Sequence, residues 1–285
     1  MTHDEIDALF MQNGPCVICG DKFDHYGVAH GLATGDGRTR ADIKQEEPRS
    51  MIEIRSDVTV QLVKASATDS DVATAARVST IGGSHEEVVD LAKDQGLINY
   101  LMRDRHGSPF EHTSFTFYVE APVFVAREFF RHRSGWSYNE ESGRYKTLEP
   151  TFYVPAGNRN LVQEGKPGAY QFKPGTRSQY GVMLSAMMDS YEQAYRSYEH
   201  MLSVGIAREV ARMVLPVGIF TSFYATCNAR SLMHFLGLRT ISAIAQFPSF
   251  PQREIEMVAE RMEDHLAERM PITYLAFNRN GRVAP

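Results

Sequence analysis

Hydrophobic positions along the chain fall into two regimes. Before residue 50, apolar periodicity ceases after about Ile18, and glycine, aspartate and other charged residues are frequent. From Met51 onward the pattern is organised. Val58-Thr59-Val60-Gln61-Leu62-Val63 alternates like a half-buried strand. Asp69 or Ser70 is placed to cap a helix through Val72, Ala75 and Val78, and a second helix is expected from Glu86 to Arg103, before the break Gly107-Ser108-Pro109. Thr113 to Val119 alternates again, and Pro122 to Phe130 is a dense apolar run that periodicity alone fits as strand or as helix. From Tyr180 to Leu202, apolar residues recur at helical intervals (Val182, Leu184, Met187, Tyr191, Tyr195, Tyr198, Met201), which predicts a long packing helix. A shorter helix from Ile206 to Leu215, stopped by Pro216, a strand from Ile219 to Cys227 and a helix from Ala229 to Leu238 follow. A final charged amphipathic helix is expected from Glu254 to Arg269, opened near Pro251.

Long helices mixed with alternating strands predict an α+β fold, and the lack of regular β-α alternation argues against a Rossmann-type doubly wound sheet. Residues 1–50 read as an N-terminal appendage and 51–285 as the catalytic domain. The appendage contains Cys16-Val17-Ile18-Cys19, then His25 and His30, a set that can bind zinc. Their intervals are short for a zinc finger, and the Gly-Asp-rich stretch from Gly31 to Arg38 reads instead as a leader, so no metal is assigned.

Composition narrows the function classes. No apolar stretch approaches the roughly 20 residues of a membrane span. The chain has three cysteines and no basic, apolar leader at Met1-Thr2-His3-Asp4-Glu5, which fits a reducing cytoplasm. The formal net charge of −5 argues against general nucleic-acid binding, so any phosphate recognition must be local.

One run concentrates such chemistry. Arg131-His132-Arg133 follows an apolar segment, and Ser137, Asn139, Glu140, Glu141, Ser142, Arg144 and Tyr145 come soon after. Arginine forks hold phosphate or carboxylate with charge-assisted bonds, and a polar loop abutting a core is where binding residues usually sit. A histidine between two arginines should be neutral, because like charges disfavour its protonated form. Ser142 has no adjacent base or oxyanion motif and reads as a hydrogen-bonding group rather than a nucleophile. Cys227, at a predicted strand end, reads as a small core residue.

Arg131-His132-Arg133 followed by Ser137-Tyr138-Asn139-Glu140-Glu141-Ser142-Gly143-Arg144-Tyr145 resembles the signature loop of the flavin-dependent thymidylate synthases. Ser108-Pro109-Phe110-Glu111-His112, Ala121-Pro122-Val123-Phe124-Val125-Ala126-Arg127, Arg208-Glu209-Val210-Ala211-Arg212 and Asn228-Ala229-Arg230-Ser231-Leu232-Met233 with Leu238-Arg239 are similar to further family segments, in the same order. The resemblance implies an antiparallel sheet packed by long helices, and an enzyme that methylates dUMP to dTMP with FAD, NADPH and methylenetetrahydrofolate. It places Ser108, Arg131, His132, Arg133, Glu140, Asn228, Arg230 and His234 at the cofactor. It places Glu128, Arg131, Glu140, Glu141, Ser142, Gly143, Arg144, Arg212 and Arg239 at the nucleotide, with Arg239 as the catalytic group that polarises the uracil. It also implies a homotetramer with active sites between subunits, for which the Tyr180 to Met201 helix is an interface candidate.

The chain departs from the family pattern at four places. The interval Ser134 to Glu141 is one residue longer than the commonest form, an excess that Gly135 is suited to absorb. Glu128 stands where a nucleotide-contacting glutamine is familiar, His234 stands in place of an asparagine, and Phe247-Pro248-Ser249-Phe250-Pro251 is inserted near the folate or flavin side. These leave open a methylase of UMP or another uracil nucleotide. A nucleotide- or RNA-binding module that kept the phosphate loop without catalysis is the reading from another class.

Overall fold

The computed structural model describes residues 52–82, 91–166 and 170–285. The appendage calls, including Cys16, Cys19, His25 and His30, lie outside these residues. Eight strands are found among them: β1 (Glu53–Arg55), β2 (Thr59–Ser66), β3 (Ser114–Pro122), β4 (Trp136–Glu140), β5 (Thr151–Tyr153), β6 (Asn160–Glu164), β7 (Gln171–Pro174) and β8 (Phe220–Cys227). The helices are α1 (Asp69–Ile81), α2 (Leu91–Arg103), α3 (Ser108–Glu111), α4 (Val123–Phe129), α5 (Arg177–Ser203), α6 (Arg208–Ala211), α7 (Ala229–Arg239), α8 (Arg253–Arg269) and α9 (Pro271–Arg279). No helix among the described residues is long and apolar enough to cross a membrane.

The chief sheet is antiparallel with strand order β2-β3-β8-β4. Its centre is fixed by alternation: Phe115, Phe117, Val119 and Ala121 of β3 all point to one buried face. Phe223 and Ala225 of β8 continue that face, and Leu232, Phe235 and Leu236 of α7 with Ile255, Val258 and Met262 of α8 cover it. Each such side chain contributes about 1.5–3 kcal/mol by leaving water. A second core lies under α5, where Tyr191, Tyr195 and Tyr198 pack with Phe152, Val154 and Ile219. Their hydroxyls are satisfied locally: Tyr191 donates to the Tyr153 carbonyl at 2.9 Å and Tyr195 to the Leu148 carbonyl at 3.0 Å. The tyrosine face of α5 is therefore core.

Several expectations are corrected. The ambiguous run after Pro122 is helical: β3 ends there, and extended Pro122 serves as the N-cap of α4. Thr68, not Asp69 or Ser70, caps α1, its hydroxyl accepting from Asp71 N in a capping box. Asp69 reaches across the fold instead, accepting from Ile272 N, Thr273 N and Thr273 Oγ1 at 2.9, 2.8 and 2.7 Å at the start of α9. That helix, opened by Pro271, makes α8 the penultimate one. The expected Ile206–Leu215 helix is a single turn, α6, running into a 3-10 turn at Arg212–Val214. The helix expected from Glu86 is described from Leu91 onward. β1 and β5 pair in parallel, outside the antiparallel sheet.

Candidate active site

The expected polar loop after Arg133 is largely an edge strand. Trp136 and Tyr138 of β4 turn inward while Ser137 and Asn139 face solvent, an alternation that lets β4 pair with β8 from Trp136↔Cys227 to Glu140↔Phe223. Gly135 makes the entry possible with φ +67, and a Cβ there would fall on Ser231 Oγ.

Beneath the Arg131–Arg133 turn lies an aromatic bed. Phe129 makes edge contacts with Trp136, Tyr138 and Phe223 at centroid distances of 5.3, 5.7 and 5.3 Å. Tyr138 donates to the His132 carbonyl at 2.6 Å, and the His132 ring stands on edge to Phe235 at 4.8 Å. These contacts bury His132 while Arg131 and Arg133 project outward on either side. Among the described residues neither guanidinium makes a hydrogen bond or ion pair, and the same holds for Arg212, so all three remain open to an anion.

Arg239, from the last turn of α7, reaches the same turn. Its Nε donates to His132 Nε2 at 3.0 Å and its Nη1 to Glu128 Oε2 at 3.2 Å. An imidazole that accepts at Nε2 is neutral, with its proton on Nδ1. Burial, reinforced by the charges of Arg239 and His234, holds the His132 pKa down to about 4. Burial pushes the Glu128 carboxyl above its ordinary range, against the pull of Arg239 and with Glu254 adding to the rise. Beside Arg239 opens a cavity of about 310 Å³, bordered by His234, Leu238, Phe247, Phe250 and Arg282. The Phe247–Pro251 segment is tied there by Ser249 Oγ, which donates to the Thr240 carbonyl at 2.5 Å.

The N-terminal end of α7 carries a second group. Asn228 caps the helix, its Oδ1 accepting from Ser231 N at 2.8 Å. Arg230 donates to the Pro285 carbonyl and to Glu111 Oε1, so it lies against α3, whose first residue is Ser108. A third group follows β4. Glu140 accepts from Thr221 Oγ1 at 2.8 Å and Glu141 from Ser222 N at 3.0 Å. Ser142 Oγ accepts from Arg144 N, Arg144 pairs with Glu209 at 3.0 Å, and buried Gly143 lies against Leu148 and Arg212. α7 thus joins the first two groups, whereas no hydrogen bond or ion pair links either to the third among the described residues. Cys227, the last residue of β8, is buried, and burial raises its thiol well above the ordinary range, which removes it as a nucleophile. Tyr138 and Phe235, which fix His132, are positioning residues absent from the expected site; Tyr138 stands within the signature run and alternates with Trp136, whereas Phe235 carries no signal beyond helical spacing.

Comparisons with known proteins show the family. Residues 61–272 match the family model described as thymidylate synthase complementing protein. A flavin-dependent thymidylate synthase of Streptomyces coelicolor is 63% identical over 248 residues, covering 86% of this chain and 99% of that protein. One from Tropheryma whipplei is 55% identical over 232 residues, covering 81% and 96%. Among solved structures, a UMP/dUMP methylase, PolB, from Streptomyces cacaoi, bound with 5-Br dUMP, superposes with a TM-score of 0.78 at 53% identity, covering 82% of this chain and all of that one.

Proposed function

The chain belongs to the flavin-dependent thymidylate synthase family, and on that premise we propose that it converts dUMP to dTMP, taking the carbon from methylenetetrahydrofolate and using FAD reduced by NADPH. The observation that carries this reading is the juxtaposition of a held Arg239 with the open guanidinium groups of Arg131 and Arg133. The residues fit a flavin dinucleotide: two unpaired arginines suit its diphosphate, and Asn228 with its remaining amide donors, Arg230 and His234 lie along one helix beside them. FAD, when bound there, supplies the hydride that completes the methyl group.

This chain's own residues bind, orient and polarise. Arg131, Arg212 and Arg144, with Ser142 and Gly143, offer cationic and close-approach contacts to a nucleotide phosphate. Glu140 and Glu141 are oriented by β8. Arg239 stabilises negative charge developing at uracil N3 and O2, which raises electron density at C5. Among the described residues the only thiol is the buried Cys227, which is not placed to add at C6, so activation falls to Arg239.

Val210, Met213, Val214 and Val217 around Arg212 are exposed apolar residues. This exposed apolar surface beside the nucleotide loop supports a homotetramer whose sites are completed between subunits.

Arg239→Ala tests the reading. Methylation of dUMP should fall by at least about a hundredfold, the scale of losing a charge-stabilising group, while flavin absorbance persists. Retention of turnover would refute Arg239 as the polarising group, and a colourless chain that binds no FAD would refute the flavin reading. A second reading, that UMP is also a substrate, is favoured by the likeness to the UMP/dUMP methylase. Turnover of dUMP and UMP compared on one preparation decides it.

A further inference from the structure

The guanidinium of Arg239 has two protein partners among the described residues. Its Nε points at the neutral ring of His132 and its Nη1 at the carboxylate of Glu128. The two anchors come from separate elements, Glu128 from α4 and His132 from the turn after it. His132 is itself immobilised, by its backbone N donating to the Phe129 carbonyl at 3.0 Å, by the Tyr138 hydroxyl on its carbonyl, and by Phe235 against its ring. A planar fork held at two of its nitrogens cannot rotate about its terminal bonds, so its remaining N–H donors keep one fixed direction. Arg239 keeps 23% and Glu128 32% of their side-chain surface exposed, so the clamp stands at the edge of solvent, where an unrestrained arginine would sample several rotamers.

We infer that Glu128 is a positioning residue, which together with His132 aims Arg239 at the pyrimidine and does not itself bind the nucleotide. This rests on the reading of Arg239 as the group facing uracil, and it assigns Glu128 a role other than the nucleotide contact of the glutamine it replaces. Preorganisation of this kind counts in the transition state more than in ground-state binding, because the fixed dipole must meet charge that appears only as the ring is activated. A pH dependence follows. The charged groups acting on Glu128 are Arg239 from α7 and Glu254 from α8. Protonating Glu128 removes the charge-assisted bond and frees the fork, so turnover falls on the acid side.

The test uses the full chain loaded with FAD. Wild type, Glu128→Gln, Glu128→Ala, Arg239→Lys and the Glu128→Ala/Arg239→Lys double variant are compared in dUMP-dependent turnover, in NADPH oxidation without dUMP, and in flavin absorbance. Glu128→Ala should lower kcat roughly ten- to a hundredfold, the scale of one charge-assisted bond, with KM for dUMP changed by less than about threefold. Glu128→Gln keeps an acceptor oxygen without the charge, so its kcat should lie between those of wild type and Glu128→Ala while the acid limb of the pH profile flattens. In the Arg239→Lys background, Glu128→Ala should cost less than about twofold more, since the fork it aims is gone. A rise in KM with kcat unchanged would show Glu128 on the nucleotide and overturn the inference. So would an unchanged kcat in Glu128→Ala, or a fully multiplicative loss in the double variant. If Glu128→Ala loses flavin or folds poorly, the near-isosteric Glu128→Gln decides through its pH profile, an unflattened acid limb overturning the proposal. Wild type without dUMP-dependent turnover would instead overturn the functional reading beneath it.

Discussion

Gly135→Ala should damage the enzyme from a position that touches no proposed substrate. An alanine at φ +67 enters the left-handed region at a cost of about 1–2 kcal/mol. Its Cβ would fall on Ser231 Oγ and stand 3.2 Å from both Ser231 Cβ and Asn228 Nδ2. Ser231 must therefore move, forfeiting the bond its hydroxyl donates to the Ser134 carbonyl at 3.0 Å, which contributes about 0.5–1.5 kcal/mol. Pressure on Asn228 also loosens the α7 cap. The total is about 2–4 kcal/mol, and for a unit of this size that lowers Tm by roughly 5–15 °C. Thermal unfolding of the flavin-free protein reads the loss, and fluorescence quenching on FAD titration reads the shift of Asn228. Gly135→Ala/Ser231→Ala removes the obstructing oxygen but keeps the backbone strain, so it should recover part of the loss relative to Gly135→Ala alone. A single variant within about 2 °C of wild type, with unchanged FAD affinity, would show that the turn relaxes freely and refute the reasoning.

The remaining predictions concern groups whose environments are defined by burial. The folded pKa of His132, about 4, lies below its ordinary 6.5, so the unfolded chain takes up the proton first; stability should fall as pH drops from 6.5 to about 4 and not change further on this group's account below that. Imidazole nitrogen shifts should show a neutral ring at about pH 5, and half-protonation near its ordinary value contradicts the burial argument. Cys227→Ala should keep methylation within about twofold, and peptide mapping should find Cys227 alkylated only after unfolding; loss of turnover in a folded variant would restore a thiol role. Asp69→Ala leaves two backbone donors and the Thr273 hydroxyl at α9 without their acceptor and should destabilise by about 2–3 kcal/mol, read as a lower denaturant midpoint at constant slope.

What could be seen in the sequence depended on element length and on whether a residue's role is local. α5 and α8 were legible because 27 and 17 residues of amphipathic spacing leave little ambiguity. β1 and β5, at three residues each, carry no measurable period. β4 had its alternation in Trp136 and Tyr138, but the polar residues around it imitate a loop, and only pairing with β8 makes it a strand. Thr68 and Asp69 are both good caps by type; a contact more than two hundred residues away decides which one caps α1. The site residues were nameable through resemblance to a family, yet the grip of His132 and Glu128 on Arg239 was invisible, since separations of 107 and 111 residues have no sequence signature.

The bond from Asp69 to α9 sets a timetable for the chain's birth. The carboxylate leaves the ribosome with α1, but its partners Ile272 and Thr273 are 203 and 204 residues behind it. At about 5–20 residues per second, roughly 10–40 s pass before they are made. For about half of that interval β3 also lacks β8, and the phenylalanines of its inner face have no helix to cover them. The nascent chain thus carries an uncovered apolar strand for many seconds, a long opening for chaperones and for aggregation alike, and its last helices close the fold around elements made first.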